Sequence, residues 1–159
     1  HVRKGSLLSQ MTPTGAGDTG EVTSLTRLGD TRRVAAGHTN GSIRVWGLDR
    51  GTCETTLGGH KTAVTALAFS GKKSLLASGG KDSDIVLWDL VAESGLFRLK
   101  GHRNEVTEIL FLHAHNSIVS CSKDATMRVW NLESQHCTQV VTLHRGEIWS
   151  MGINPSETC

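Results

Sequence analysis

The sequence contains little proline, almost no net charge and no long apolar run, and each of these shortages limits which kinds of protein it can be. Two prolines beside 18 glycines, with frequent Val, Ile, Thr and Ser, favour many short strands joined by tight turns. A net charge of +2, from 17 basic and 15 acidic residues, gives little support for nucleic-acid binding. Four cysteines without CxxC spacing indicate free intracellular thiols rather than a disulfide framework. No apolar run approaches a membrane span, and no signal peptide is recognisable.

The sequence repeats with a period of 42 residues, which Trp46, Trp88 and Trp130 show most clearly. The same interval separates two further pairs of landmarks, namely Gly59-His60 from Gly101-His102, and Asp82 from Asp124. Three windows beginning at residues 17, 59 and 101 align without a gap, and a fourth begins at 143. Agreement of separate landmarks at one period identifies a repeat protein.

Each window predicts four short antiparallel strands, which in the middle one are 63–69, 74–78, 84–90 and 96–100. A sheet of four strands in about 40 residues, with Trp-Asp ending the third strand, is typical of a β-propeller blade. The predicted units are the end of an upstream blade (1–16), a degenerate blade (17–58), two regular blades (59–100 and 101–142) and the start of a further blade (143–159).

Gly59-His60 with Trp88-Asp89, and Gly101-His102 with Trp130-Asn131, resemble the signatures of the WD-repeat family. The first repeat departs from that pattern, because Asp18 stands in place of His and Gly47 follows Trp46. The resemblance implies an all-β fold, a partial propeller of about three and a half WD-repeat blades. We expect a preceding outer strand up to Met11, a first strand over 148–153, and a longer parent chain or further blades, because open propeller ends expose strand edges.

Two sets of polar residues recur at matching positions and could be mistaken for a catalytic triad. They are His60, Ser78, Asp82 and Trp88 in one repeat, and His102, Ser120, Asp124 and Trp130 in the next. An enzyme needs one site and an exposed nucleophile, whereas this set is duplicated and lacks a GxSxG turn. In WD repeats the same four residues form a buried hydrogen-bonded tetrad. We therefore predict structural tetrads, no catalytic residues and no enzymatic activity.

Other candidate sites are weaker. His113 and His115 have no Cys or acidic companion, so a solvated loop is favoured over a metal site. The glycine-rich segment 14–20 lacks GKS or GKT and precedes a strand, which argues against phosphate binding. We predict no cofactor, no metal and no small-molecule substrate.

A closer resemblance is carried by the segments SGGKDSDIVLWDLVAESGLFRLKGH, WNLESQHC and HRGEIW. They are similar to the N-terminal propeller of the WD repeat-containing protein 3 family. That resemblance implies a scaffold of the small-subunit processome in the nucleolus, acting in pre-ribosomal RNA processing. The implied partners are proteins, above all other WD-repeat subunits of a large ribonucleoprotein assembly, with indirect or weak RNA contact and no membrane.

Three other functions stay open at this point. The chain could be another WD-repeat adaptor, such as a ubiquitin-ligase substrate receptor or a signalling scaffold. It could be part of an enzyme whose catalytic domain lies outside this segment. It could also bind RNA directly, although the near-neutral charge argues against this.

A partner-binding surface is expected on the rim where the first strands begin. Trp149 occupies the position that holds Thr in the other three repeats, and a large rim aromatic is a common interface anchor. The alternative is that Trp149 turns inward and packs on a neighbouring blade. The predicted contact patch comprises Trp149, Glu147, Glu105, Lys81 and Lys123.

Overall fold

The computed structural model describes residues 20–29, 32–112, 115–142 and 146–152, and within them the chain is all-β. Twelve strands form three four-stranded antiparallel sheets, each ordered as its strands follow in the chain. The first sheet comprises β1 (Val22–Arg27), β2 (Arg33–His38), β3 (Ser42–Gly47) and β4 (Thr52–Gly58). The second comprises β5 (Val64–Ser70), β6 (Leu75–Gly80), β7 (Ile85–Asp89) and β8 (Ser94–Leu99). The third comprises β9 (Val106–Leu112), β10 (Ser117–Ser122), β11 (Met127–Asn131) and β12 (His136–Val141). These sheets confirm the predicted fold class of propeller blades.

The fourth strand of the second sheet begins earlier than predicted, at Ser94 instead of Leu96. The Asp89 carboxylate accepts hydrogen bonds from the backbone N–H groups of Val91 and Ala92, which closes the preceding turn within four residues. Glu93 then adopts a left-handed conformation, with φ of 52°, and Ser94 pairs with Asp89. In the third sheet Asn131 accepts from Glu133 and Ser134 in the same way. The residue after the repeated Trp therefore shapes the turn to the outer strand.

The strand predicted over 148–153 was wrong for residues 148–152, which form no strand. Ile148 donates one long backbone hydrogen bond, 3.4 Å, to Ser122. No second strand pairs with this segment in the described ranges, so the ladder that would define a strand does not form. Residue 153 and the strand predicted up to Met11 lie outside the described residues.

The sheets pack face to face through apolar clusters that occupy the spaces between them. Between the first two sheets, Leu28, Ile43, Val64 and Leu76 are fully buried. Between the second and third, the buried residues include Leu87, Ile109, Phe111 and Ile118. The middle sheet is therefore apolar on both faces, and β6 and β7 are almost continuously buried.

Close approach between the second and third sheets requires glycine at position 79. A Cβ atom there would lie 2.5 Å from Cγ1 of Val106, the first residue of β9. The missing side chain of Gly79 leaves room for Val106, which is fully buried. A side chain at this point would have to displace the neighbouring sheet.

Threonine hydroxyls join the first strand of each sheet to the segment that follows it around the propeller. Thr23 donates to the carbonyl of Val64 over 2.5 Å, and Thr65 donates to Val106 over 2.5 Å. Thr107 donates to Ile148 over 2.6 Å. The bond thus recurs with the repeat, and it fixes the register between successive units.

In the described residues, no helix is long and apolar enough to cross a bilayer.

Candidate functional site

A chain of hydrogen bonds links four polar side chains inside the second sheet. Trp88 Nε1–H donates to Ser78 Oγ over 2.8 Å, and His60 Nε2 lies 2.8 Å from the same oxygen. His60 Nδ1 lies 2.9 Å from Oδ1 of Asp82. Because a carboxylate only accepts, Nδ1 carries the proton, and Ser78 O–H donates to the bare Nε2. The four predicted residues are therefore brought together in one tetrad.

The third sheet repeats this tetrad nearly atom for atom. Trp130 Nε1–H donates to Ser120 Oγ over 2.8 Å, and Ser120 lies 2.7 Å from His102 Nε2. His102 Nδ1 lies 3.0 Å from Asp124 Oδ2. The His102 ring also meets the Trp130 ring edge-on, with 6.0 Å between centroids.

The aspartate of each tetrad also fastens the segment that leads into the first strand. Asp82 accepts from the backbone N–H of Lys61 over 3.0 Å, and Asp124 accepts from Arg103 over 2.9 Å. Asp124 further accepts from the backbone and hydroxyl of Thr126. One carboxylate therefore ties the entry to the first strand to the turn between the second and third strands.

Neither tetrad serine is available as a nucleophile in this arrangement. Ser78 and Ser120 are 0% exposed, and each hydroxyl is engaged by its Trp and its His. A catalytic serine would have to reach a substrate carbonyl beside an oxyanion site. The geometry supports the proposal that the tetrads brace the sheets.

The surroundings of the third-sheet tetrad lower the pKa values of both its aspartate and its histidine. Burial by itself would raise the pKa of Asp124, but hydrogen bonds from Thr126, Arg103 and His102 outweigh it and lower that pKa. Burial lowers the pKa of His102, and the Asp124 charge only partly opposes this. Neutral His102 beside ionised Asp124 is therefore the favoured state near neutral pH.

The first sheet lacks the tetrad. Ala36 stands where the serine is, and Asn40 replaces the aspartate and accepts from Ser42. His38 is buried instead, and its Nδ1–H donates to the Gly20 carbonyl over 3.2 Å. Asp18 and Gly47 marked this repeat as degenerate in the sequence, and Ala36, which alignment by 42 residues locates directly, is a third departure that was missed.

An arginine of the second sheet extends its tetrad in a way that the sequence analysis missed. Arg98 on β8 donates to Asp84 over 2.8 Å and to the carbonyl of Gly59, and it lies 3.7 Å from Asp82. The matching positions in the other repeats hold Thr56 and Val140. Because the period carries no arginine there, no sequence signal indicated this contact.

The predicted contact patch gathers around an open recess on the rim. The recess has a volume of about 330 Å³ and is lined by Thr23, Thr65, Lys81, Glu105, Thr107 and Trp149, which we call the rim recess. Trp149 is 65% exposed, so it does not turn inward. The Lys123 ammonium lies 4.6 Å from the Trp149 ring centroid and 2.7 Å from the Glu105 carboxylate. Glu147 is exposed and does not line the recess.

No metal centre emerges from the residues that the structure describes, which hold no group of three or more His, Cys, Asp or Glu suited to an ion. His115 is exposed on its loop, and His113 lies outside the described residues.

The whole chain, residues 1–159, matches the sequence profile of the WDR3 first beta-propeller domain. The chain belongs to the WDR3 family. WD40 β-propellers of this kind are generally non-catalytic scaffolds that mediate protein interactions. No curated protein sequence matches the chain significantly.

Two solved structures share the fold, those of the RRP9 WD40 repeats and of U3-55K. Each superposes with a TM-score of 0.76 at 23% identity, over 83% of this chain. At that identity the likeness establishes the fold alone. The alignment covers 42% of each solved chain, so this chain spans less than half their length.

Removal of the third-sheet aspartate tests the bracing role. We expect Asp124→Ala to lower the free energy of unfolding by about 1–3 kcal/mol, because His102 Nδ1–H and the Arg103 amide lose their acceptor. Urea denaturation measures this change, with Glu133→Ala, an exposed carboxylate of the same sheet, as the matched control. Lost partner binding at an unchanged stability would instead make Asp124 a functional residue.

The lowered pKa of His102 predicts a pH dependence with a definite sign. A histidine whose pKa is lower in the folded state binds more protons unfolded, so its stabilisation is present above about pH 6.5 and is lost on acidification. The half-buried Glu108, whose pKa is raised by desolvation, contributes in the opposite sense. We therefore compare wild type with His102→Gln, in which the Glu108 contribution is shared.

Wild type should be the more stable protein at neutral pH, and its advantage in free energy of unfolding should shrink as the pH falls to about 5. Urea denaturation across this range measures the difference. An advantage that grows on acidification would contradict a neutral His102.

Proposed function

We propose that the chain is a non-catalytic interaction scaffold of the nucleolar small-subunit processome, acting in pre-ribosomal RNA processing. The observation that carries this proposal is the match of all 159 residues to the WDR3 first propeller domain. Residence in the nucleus and nucleolus follows from the same proposal.

The distribution of polar groups supports a scaffold. In the second and third sheets the repeated His, Ser and Asp side chains bond to one another, so the residues that look catalytic have internal partners. At the rim, Trp149 is exposed where the other repeats hold threonine, and Lys81 lacks, among the described residues, the ion pair that its counterpart Lys123 makes. An exposed aromatic beside charged groups is suited to a protein interface.

The proposed partners are proteins, in particular other WD-repeat subunits of a large ribonucleoprotein assembly. RNA contact is indirect or weak in this proposal, because a net charge of +2 does not provide the basic stripe that phosphate binding relies on.

Affinity purification of the full-length protein, with identification of the recovered proteins and RNA, tests this assignment. Processome subunits should be recovered both before and after ribonuclease treatment, since the contacts proposed are between proteins. Recovery of ubiquitin-ligase or signalling components in their place would overturn the assignment and favour a different WD-repeat adaptor.

Trp149→Ala in the full-length protein tests the rim as the partner surface. We expect partner affinity to fall by more than about 2 kcal/mol while the fold stays intact, because a large desolvated aromatic anchor is removed. Val91→Ala is a suitable control, since Val91 is 81% exposed but lies in the turn between β7 and β8, at the end of the second sheet opposite the rim. Unchanged affinity with a lowered melting temperature would assign Trp149 to packing.

A further inference from the structure

The two lysines of the predicted patch are in different electrostatic states. Lys123 is held by Glu105 at 2.7 Å and covers the Trp149 ring, and its side chain is only 21% exposed. Its charge is therefore neutralised and partly covered within the chain. This pair supports Trp149 from one side but has little capacity left for a partner's charged group.

Lys81 occupies the matching position one repeat earlier and has no such partner. The backbone N–H of Lys81 donates to Ala63 just as that of Lys123 donates to Glu105, so the two backbones are equivalent. Ala63 replaces the glutamate, and among the described residues Lys81 forms no ion pair. Lys81 is exposed and lines the rim recess, so it presents an uncompensated cation there.

The threonines that line the rim recess offer few free hydrogen-bond donors. Thr23, Thr65 and Thr107 each direct their hydroxyl hydrogen to a backbone carbonyl of the next unit. The rim recess thus combines Lys81, which is unpaired among the described residues, with the exposed Trp149 ring, one face of which Lys123 covers. A ligand that complements it carries an anionic group next to an apolar one.

We propose that the rim recess binds an acidic peptide segment of a protein partner, with an Asp or Glu carboxylate on Lys81 and a neighbouring apolar side chain on Trp149. This rests on the proposed role as a protein scaffold and specifies the chemistry of the partner. At this end of the three sheets and in residues 146–152, exposed cations outnumber exposed acidic residues by four to two. The cations are Lys61, Lys81, Lys100 and Arg103, against Glu21 and Glu147.

A nucleic-acid strand with a base on Trp149 and a phosphate on Lys81 is the competing occupant. Single-strand binding relies on a groove that neutralises several successive phosphates. In the rim recess only Lys81 among the lining residues carries a charge that is not already paired. One free cation favours a carboxylate of a peptide over a phosphate backbone.

The test measures fluorescence anisotropy of a fluorescein-labelled peptide of alternating Glu and Leu on the full chain at low ionic strength. A peptide of alternating Lys and Leu and an oligouridylate, both labelled alike, are the comparison probes. We expect the Glu-Leu peptide to bind at least roughly tenfold more tightly than either of them, since only it matches both sides of the recess.

Variants then locate the binding. Lys81→Met and Trp149→Ala should each weaken it by roughly tenfold. Ala63→Glu, which copies the Glu105–Lys123 pair, should do the same by neutralising Lys81. Lys72→Met is the matched control, because Lys72 is an exposed lysine in the turn at the opposite end of the second sheet and should leave binding unchanged. Melting temperatures establish that each variant is folded.

No binding of the Glu-Leu peptide, equal binding by wild type and Lys81→Met, or tighter binding of oligouridylate would each overturn the proposal. None of these outcomes decides whether the chain is a scaffold, which the partner-recovery experiment with Trp149→Ala tests. If Trp149→Ala still loses processome partners, only the acidic chemistry is wrong, whereas retained partners in that variant contradict the rim as the scaffold's contact surface.

Discussion

The serine hydroxyl at the centre of each tetrad is the group that connects the polar interior of the second and third sheets. In the second and third sheets it accepts from the indole N–H of the third strand and donates to a histidine that precedes the first strand. Both serines are 0% exposed, so no water is available to replace a missing partner. An unpaired buried donor or acceptor costs about 1–3 kcal/mol, and this one hydroxyl satisfies two of them. In these two sheets it allows Trp88 and Trp130 to be buried with the indole N–H group satisfied.

The partner surface that we propose lies where the repeats differ, since the tetrads that two of them share are used for folding. Position 63 holds alanine where its counterpart is Glu105, so Lys81 has no counter-charge in the part of the chain that the structure describes. Position 149 holds tryptophan where its counterparts are Thr23, Thr65 and Thr107, which donate to the next unit. Both departures lie on one rim, and together they form a surface that no single repeat has.

The 42-residue period predicted the sheets and the members of the two tetrads, because the residues that form them recur at that interval. It did not predict contacts made by residues that occur once, such as Arg98 with Asp84. It also misplaced the start of β8, because the Asp89 side chain closes the turn earlier than the Ser94-Gly95 pair suggested. Residues 148–152 follow the strand pattern but form no strand, since pairing depends on a neighbour that the pattern alone does not supply.

A double-mutant cycle on Ser120 and Trp130 tests the bracing role most directly. Ser120→Ala removes the shared hydroxyl, Trp130→Phe removes the indole donor, and urea denaturation gives the free energy of unfolding of each variant and of the pair. The account predicts a coupling of about 1–2 kcal/mol, because either change already breaks the bond between them. The same cycle on Ser78 and Trp88 should give a similar value. Additive effects within about 0.5 kcal/mol in both sheets would contradict a bracing tetrad.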